Sequence, residues 1–235
     1  MNFEQVMAEL AILGKDRSKK IYMSNGAQEP LFGVATGAMK PMKKEIHINQ
    51  SLAEQLYATG NYDAMYFAGV IADAKNMTAE DFNRWMEGAY FYMISDFVVA
   101  VTLAESPLGQ EISDCWIASS DELLMSAGWS CYCWMLGNQK DEYFDMLKLK
   151  GMLDTIKDEV HEQPLRTKLA MNNFIHTVGV SFKPLHKEAL AIAKEIGNIN
   201  IVKSDGRATT ISAVATIEKN IDNGRIGFKR KHVRC

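Results

Sequence analysis

Lysine residues cluster at one point early in the chain, where Lys40, Lys43 and Lys44 surround Pro41. A helix is predicted to begin at this proline, because the N–H group that proline lacks has no helical partner in the first turn. Positive charges at a helix start oppose the helix dipole, so helix formation does not explain the lysines. They are interpreted either as a solvated face or as contacts to phosphate groups.

A single acidic residue interrupts a long apolar segment. Asp96 is the only charged residue between Phe91 and Leu103. A carboxylate in apolar surroundings is costly unless it is hydrogen-bonded, and acids in such settings concentrate at functional sites. Asp96 is therefore either held by a local hydrogen bond or part of a site, and both interpretations stay open at this point.

Charge is segregated along the chain, although the net charge is only −3. Residues 49–162 carry a net charge of −13, whereas residues 225–235 carry +5 and no acidic residue. A positive surface must therefore be assembled mainly from the two ends of the chain. Beyond the first lysine cluster, its predicted members are Arg166, Lys168, Arg225, Lys229 and Arg230. The acidic middle segment favours a protein-binding role instead, because it would repel DNA unless its acids face away.

The sequence shows no pattern that is typical of a metal site or a membrane span. The five histidines lack the paired spacing that is typical of metal ligands. Cys131 and Cys133 lie two apart on a predicted helix, about 200° apart around its axis, so they cannot share a metal ion. No metal and no cofactor are expected. No apolar run approaches the roughly 18 residues of a membrane span and no signal-peptide pattern is present, so a cytoplasmic protein is expected.

Helices are the elements that must position these residues. Apolar residues recur at helical spacing through most of the chain, and all five prolines fall at predicted joints. The main predicted helices cover residues 50–58, 62–75, 79–91, 91–103, 107–118, 121–137, 141–161, 164–181 and 184–197. The only strand-like segment, Ile199 to Lys203, is too short to build a sheet. The last helix is predicted over residues 211–221.

The segment from Cys115 to Leu136 is predicted to lie at the centre of the fold. Ser119 stands three residues before Glu122, which is the spacing of a capping box, and a helix is predicted to begin at about residue 121. That helix is apolar on most sides, so Trp129 and Trp134 are expected to be largely buried.

Amphipathic helix pairs follow one another without a fixed sequence period. This pattern predicts an all-α fold, a right-handed superhelical solenoid of degenerate HEAT/ARM-like helix pairs. One domain of HEAT-like repeats is predicted over residues 1–223, followed by a basic tail over residues 224–235.

Three segments point to a known family. Leu31–Val34 leads into Met39–Glu45, Trp116–Ser119 precedes the Trp129 helix, and Gly224–Lys231 stands near the end of the sequence. In this order they resemble the DNA alkylation-repair family, the HEAT-like repeat DNA glycosylases of the AlkD type, and the last segment looks like that of a divergent, uncharacterised subgroup. The resemblance implies a helical superhelix whose concave face holds duplex DNA, and the excision of N3- or N7-alkylated purines without a metal or a base-flipping pocket.

The same resemblance implies an aspartate that stabilises a sugar cation, together with aromatic rings that line the site. In the family, a tryptophan and an acid four residues later lie on the helix that corresponds to residues 91–103. In one register these positions are Ser95 and Val99. In a shifted register they are Tyr92 and Asp96, which keeps an aromatic ring and an acid on one helical face.

Other family positions are also replaced. The arginine after the Trp116–Ser119 segment falls at about Ser126, and a later tryptophan falls at Asn172 or Asn173. Three functions are therefore weighed. A glycosylase for alkylated purines would use Tyr92 and Asp96 as its catalytic residues, a non-catalytic DNA binder would need only the basic surface, and a protein–protein scaffold would use the acidic segment. The sequence leaves the oligomeric state open.

Overall fold

Helices of up to 17 residues, joined by short loops, make up most of the chain. The computed structural model of the protein describes residues 1–202 and 206–234. These residues group into two compact units, of which unit 1 contains residues 1–108 with Arg234 and unit 2 contains residues 109–233. The predicted all-α class is confirmed. The single domain over residues 1–223 stays a prediction, which unfolding in one calorimetric transition would support.

Unit 1 consists of seven helical stretches. They are α1 (Phe3–Leu13), α2 (Asp16–Ser24), α3 (Lys40–Ile46), α4 (Gln50–Tyr57), α5 (Tyr62–Ile71), α6 (Ala79–Glu87) and α7 (Tyr92–Leu103). Side chains of Asn2, Asn49, Asn61 and Thr78 cap the first turns of α1, α4, α5 and α6. Each cap satisfies backbone N–H groups that have no partner within the helix, which fixes where these helices begin.

Unit 2 contains the remaining helices and one hairpin. They are α8 (Gly109–Ile117), α9 (Glu122–Leu136), α10 (Met146–Glu159), α11 (Leu165–Ser181), α12 (His186–Ile196), β1 (Ile199–Val202), β2 (Ala208–Ile211) and α13 (Val214–Asp222). Pro107 precedes α8, Pro164 is the N-cap of α11, and Pro184 lies in the turn before α12. The placement of these prolines at helix joints is confirmed.

Helix α9 lies in the core of unit 2, as predicted. Trp129 is 1 % exposed and packs edge-on against Phe174, with the two ring centroids 5.1 Å apart. A Cβ atom at Gly128 would lie 2.8 Å from the carbonyl oxygen of Ser113, so only glycine allows α8 and α9 to approach this closely. Trp134 is only half-buried, unlike the prediction.

The capping box predicted before α9 is wrong. The Asp121 carboxylate caps the helix by accepting the N–H groups of Leu123 and Leu124, at 2.9 and 3.0 Å. Glu122 instead accepts the backbone N–H of Arg166 at 2.6 Å and so caps the first turn of α11. A carboxylate can satisfy the orphan N–H groups of another helix as well as its own, and sequence spacing cannot distinguish the two.

A two-stranded antiparallel sheet contradicts the prediction that the strand-like segment Ile199–Lys203 is too short to build a sheet. Strand β1 pairs with β2 in a register that sets Ile199 opposite Ile211 and Val202 opposite Ala208. Ile199 and Ile201 point inward and are almost fully buried, which ties the hairpin to unit 2. Because residues 208–211 are a strand, the last helix begins at Val214 rather than at residue 211. Lys203 itself lies outside the described residues.

One buried carboxylate fixes the early loop of unit 1. Asp63 is fully buried and accepts the backbone N–H groups of Phe32, Gly33 and Val34, at 2.6, 2.9 and 2.7 Å. Gly33 has a φ of +82°, and a Cβ atom there would lie 2.6 Å from the carbonyl oxygen of Lys15. Both features require glycine at this position. The loop that leads to the lysine cluster is therefore held in one conformation.

Among the helices of residues 1–202 and 206–234, none is both long enough and apolar enough to cross a membrane.

Candidate nucleic-acid interface

The lysine cluster lies on a short helix. The prediction that its charges stand at the helix start and oppose the dipole is wrong for Lys43 and Lys44. Helix α3 has only seven residues, so Lys43 and Lys44 belong to its last turn rather than to its first. The dipole favours positive charge at that end, which provides a structural reason for both residues. Lys40 and Lys44 are nevertheless exposed and Lys43 is half-buried, so the cluster is accessible to an anionic ligand.

A cavity of about 590 Å³ opens beside this helix in unit 1. Its walls are formed by Lys43 and Lys44 of α3, by His47 and Ile48 of the following loop, and by Val70 of α5. Its volume lies within the range of sites that take small ligands. The cavity lining combines apolar side chains with two lysine residues.

The backbone at His47 is unusual. This residue has a φ of +58° and a ψ of −144°, and it is the only non-glycine residue with positive φ in the part of the chain that the structure describes. Such a conformation costs on the order of 1–3 kcal/mol. Two backbone hydrogen bonds stabilise it, from His47 N–H to Lys43 O at 2.9 Å and from Asn49 N–H to Ile71 O at 2.8 Å.

Helix α7 places Asp96 inside a π-helical turn. The α-helical segments Tyr92–Ile94 and Ala100–Leu103 flank the π segment Ser95–Val99. Asp96 is 7 % exposed, and its Oδ1 accepts the hydroxyl hydrogen of Ser95 at 2.8 Å. π turns are rare and occur frequently at functional sites. The local hydrogen bond is the structural role foreseen for this carboxylate.

The π turn also changes which residues lie next to Tyr92. A π turn contains more residues than an α turn, so a side chain five positions later comes level with Tyr92. The ring of Phe97 stands 6.4 Å from that of Tyr92, edge to face, and Phe97 is 45 % exposed. The Tyr92 hydroxyl donates to Asn25 Oδ1 at 3.0 Å. The catalytic roles of Tyr92 and Asp96 stay predictions.

Aromatic side chains continue from Tyr92 through unit 1. Phe91 and Tyr62 have ring centroids 5.4 Å apart, and Tyr62 and Tyr22 have centroids 4.9 Å apart. Burial, reinforced by the charge of Asp63, raises the pKa of Tyr22, whose hydroxyl donates to Val34 O at 2.8 Å. Tyr62 and Phe91 are buried, so these rings pack within unit 1 rather than at its surface.

The remaining positions of the family comparison are not arranged for catalysis. Ser95, Val99 and Ser126 are fully buried, so none of the three presents a side chain to a ligand. Asn172 is half-buried and Asn173 is exposed on α11. Small or amide side chains therefore occupy the positions where the resemblance implies an acid, an arginine and a tryptophan.

The two basic residues of α11 lie at the start of that helix. Arg166 and Lys168 fall in the first turn and are half-buried. Positive charges at this end oppose the helix dipole, so the helix gains nothing from them. A contact with an anionic ligand stays a prediction for both.

Two predicted tail residues make structural contacts within unit 2. Lys229 Nζ donates to Leu136 O at 2.8 Å and forms an ion pair with Asp141 at 2.9 Å. The guanidinium of Arg230 lies over the ring of Trp134 at 5.1 Å and remains exposed. Lys229 therefore stabilises unit 2, whereas Arg225 and Arg230 keep surface for a ligand.

A histidine lies near Arg230. His176 is half-buried, and burial, with a smaller effect of the Arg230 charge, lowers its pKa. Its imidazole is therefore neutral at neutral pH. The Trp134 ring and the Arg230 guanidinium add a flat, positively charged surface to unit 2, of the kind on which nucleobases stack.

Arg234 is predicted only as a member of the basic tail, and its structural role is not foreseen from the sequence. In unit 1, Arg234 donates from Nη1 to the carbonyl oxygens of Gly69 and Ala72, at 2.6 and 3.0 Å, and from Nε to Glu105 at 2.9 Å. Its side chain is 10 % exposed. A cation at the carbonyl end of α5 complements the helix dipole. Its position in a run of basic residues gives no signal for this role.

No group of three or more histidine, cysteine, aspartate or glutamate residues that could hold a metal ion occurs among residues 1–202 and 206–234.

Comparisons with known proteins give one family model and two relatives that each cover most of the chain. Residues 4–203 match the model of the family described as DNA alkylation repair enzyme. Two uncharacterised proteins, Lin0241 of Listeria innocua and Lmo0209 of Listeria monocytogenes, are each 24 % identical over 224 residues, which is 93 % of this chain and 97 % of theirs.

A solved structure is more similar still. It represents a new family of proteins related to the HEAT-like repeat DNA glycosylases, with affinity for branched DNA structures. The two chains are 60 % identical, the similarity covers 100 % of both, and the TM-score is 0.97. The predicted kinship with HEAT-like repeat DNA glycosylases is confirmed.

Proposed function

This chain belongs to the DNA alkylation repair enzyme family, and we propose that it is a DNA-binding member whose ligand is branched DNA. The proposal assigns binding without base excision. The proposal includes the cytoplasmic location that is expected from the sequence.

The similarity to a protein with affinity for branched DNA is the observation that carries the proposal. At 60 % identity over the full length of both chains, more than half of all positions carry the same residue. Residues that only maintain the fold would not require similarity of this extent. A shared ligand class is the simplest reason for it.

Asp96 supports binding rather than catalysis. A carboxylate that stabilises a developing sugar cation must reach the substrate. Asp96 is 7 % exposed and accepts a hydrogen bond from Ser95, whose position holds the tryptophan in one register of the family comparison. The glycosylase activity on alkylated purines therefore lacks an accessible acid in α7.

Exposed basic residues supply the binding surface in this proposal. Lys40 and Lys44 in unit 1, and Arg225 and Arg230 in unit 2, are exposed cations. Phosphate contacts by such residues provide most of the affinity for DNA and do not depend on its sequence. A branched structure brings several phosphate backbones together and increases the number of contacts available to one protein.

Binding to a four-way junction and to a linear duplex of the same sequence tests the proposal. Fluorescence anisotropy in one buffer should give a Kd on the junction at least about tenfold lower than on the duplex. Equal affinity for the two DNAs would overturn the proposal.

A second assay follows release of methylated purines from the duplex. No release above the buffer control is expected. Release that increases with protein concentration and then saturates would show that the protein is a glycosylase after all.

A protein-binding role is the second candidate. Tyr143, Met146 and Leu147 are 40 %, 48 % and 74 % exposed in unit 2, beside the acidic residues Asp145 and Glu142. An apolar patch with an acidic border suits a basic, apolar segment of another protein. Absence of DNA binding even at low salt would favour this role.

A further inference from the structure

We propose that the cavity beside α3 receives a single unpaired nucleotide at the branch point of DNA. This inference rests on the proposed function, because it assigns one part of branched DNA to one site of unit 1. The occupant is a nucleobase together with its phosphate.

The walls of the cavity suit the two parts of a nucleotide. Ile48, which is 63 % exposed, and Val70, which is half-buried, form an apolar surface on which a base can lie. Lys43 and Lys44 provide ammonium groups for the phosphate. The exposed side chain of Ile48 leaves apolar surface in water. Packing a base against Ile48 would remove that surface from water.

Size and polarity favour a nucleotide over a bare phosphate. A cavity of about 590 Å³ leaves a phosphate ion mostly surrounded by water, whereas a base fills the apolar part. His47 adds a ring and a polar nitrogen at the rim. The walls present no set of directed donors and acceptors, so binding should tolerate any of the four bases.

The charge balance around the cavity is positive. The nearest acid on α3, Glu45, is bound by the N-terminal ammonium group of Met1 at 3.3 Å. Arg234 donates to carbonyl oxygens on both sides of Val70 and offsets the negative end of the α5 dipole. An anion entering beside Val70 therefore meets a cavity wall with two lysines and no acidic residue, whereas the charge of Arg234 is itself balanced by Glu105.

The aromatic side chains of unit 1 lie on the same helix as one cavity wall. Tyr66 is half-buried and precedes Val70 by four residues, which is one turn of α5. Its ring centroid is 6.5 Å from that of Tyr62. Tyr62 is buried, so the half-buried ring of Tyr66 is the one of the pair on which a base next to the bound nucleotide would stack.

Two three-way junctions test the site, one fully paired and one with two unpaired thymidines at the branch point. The full chain should bind the second about tenfold more tightly, the order expected for placing one base on a protein surface. Ile48→Trp fills the cavity and should reduce this ratio to about one while the affinity for the paired junction stays within about twofold. Ile12→Trp is the matched control, because Ile12 is 76 % exposed in the same unit and is not one of the residues that line the cavity. It should keep the tenfold ratio.

Lys44→Gln provides a second variant that leaves the cavity open. It should weaken binding of the junction with unpaired thymidines more than that of the paired junction. A ratio of one for the unaltered protein, or a tenfold ratio that survives in Ile48→Trp, would overturn the inference while leaving branched-DNA binding intact. Failure to bind either junction would overturn the proposed function itself, so the two failures are distinguishable.

Competition with free thymidine monophosphate tests whether the cavity takes a nucleotide of DNA or a free nucleotide. The free nucleotide lacks the phosphate contacts of the junction arms, so it should displace junction DNA only at millimolar concentration. Displacement at the concentration of the junction Kd would assign the cavity to a free nucleotide and overturn the assignment to DNA.

Discussion

Asp63 holds Gly33 across 30 residues of chain, because its Oδ2 accepts the backbone N–H of Gly33 at 2.9 Å inside unit 1. The same carboxylate also accepts the N–H groups on either side of that glycine. Replacing it with an amide removes the charge and sets an NH₂ group against backbone donors. Asp63→Asn should therefore lower the free energy of unfolding by about 3 kcal/mol, measured by urea denaturation.

Glu87→Gln is the control for that change, because Glu87 is an exposed carboxylate of the same unit. It should alter stability by no more than about 0.5 kcal/mol. Equal, small effects of the two substitutions would contradict the role assigned to Asp63.

Asp96 is expected to stabilise the π turn of α7. Asp96→Asn weakens the hydrogen bond from Ser95 and should lower stability by about 1–3 kcal/mol, with no loss of junction affinity. A double-mutant cycle with Ser95→Ala should give a coupling energy of at least about 0.5 kcal/mol. Loss of methylated-purine release in Asp96→Asn, with unchanged stability, would show instead that the residue is catalytic.

The salt dependence of DNA binding should report the lysine cluster. Each phosphate contact contributes about 0.9 to the slope of log affinity against log salt concentration. The double substitution Lys43→Gln with Lys44→Gln should therefore reduce the slope by about 1.8. Lys229→Gln is the matched comparison, because Lys229 binds Leu136 O and Asp141 within unit 2. It should lower the melting temperature and leave the slope unchanged.

His176 should make stability depend on pH. Burial first, and then Arg230, lowers the pKa of His176 in the folded protein below its ordinary value of about 6.5. As pH falls through 6.5 the unfolded chain binds a proton before the folded protein does, so stability declines and levels off below the folded pKa. His176→Gln should reduce this decline between pH 7 and pH 5, measured by thermal unfolding.

The two causes can be separated by NMR titration of the His176 ring. Arg230→Gln removes the smaller cause, so the pKa should rise without reaching 6.5. His232→Gln, at an exposed histidine, should leave the titration of His176 unchanged. A pKa of 6.5 in the unaltered protein would contradict the assignment.

Arg234 should contribute to the stability of unit 1. Arg234→Lys keeps a positive charge but cannot bind Glu105 and two carbonyl oxygens with the same geometry. A loss of about 1.5–3 kcal/mol in unfolding free energy is expected. Arg225→Lys, at an exposed position, should have no measurable effect.

Local pattern explains which parts of the fold are predictable from the sequence. The helix that contains Trp129 is apolar on most sides, so its central position can be predicted. Proline is disfavoured inside helices, so the prolines mark where the helices join. The hairpin cannot be predicted in this way, because its second strand, Ala208–Ile211, is mostly exposed and lacks an alternating apolar pattern, although Asp205-Gly206 in the sequence is a typical hairpin signal. Helix length also limits prediction, since Lys43 and Lys44 change from the unfavourable to the favourable end of the dipole when α3 is only seven residues long.

The candidate site is less predictable than the fold. Lys40, Lys43 and Lys44 are visible as a cluster, yet the cavity depends on Val70, which comes from another helix. Lys229 and Arg230 are adjacent and alike in sequence, and only packing distinguishes the half-buried ion pair of Lys229 from the exposed ring contact of Arg230. Ionic side chains carry no local signal for the partner that they find in the folded chain.

Arg234 completes a cap on a helix that ends at Ile71, so the order of synthesis matters for unit 1. A ribosome adds every residue of unit 2 before it adds this arginine. The carbonyl oxygens of Gly69 and Ala72 must therefore be hydrated while the nascent first unit folds. A guanidinium group can replace those water molecules only after residue 234 has been synthesised, so this contact of unit 1 forms after the synthesis of unit 2.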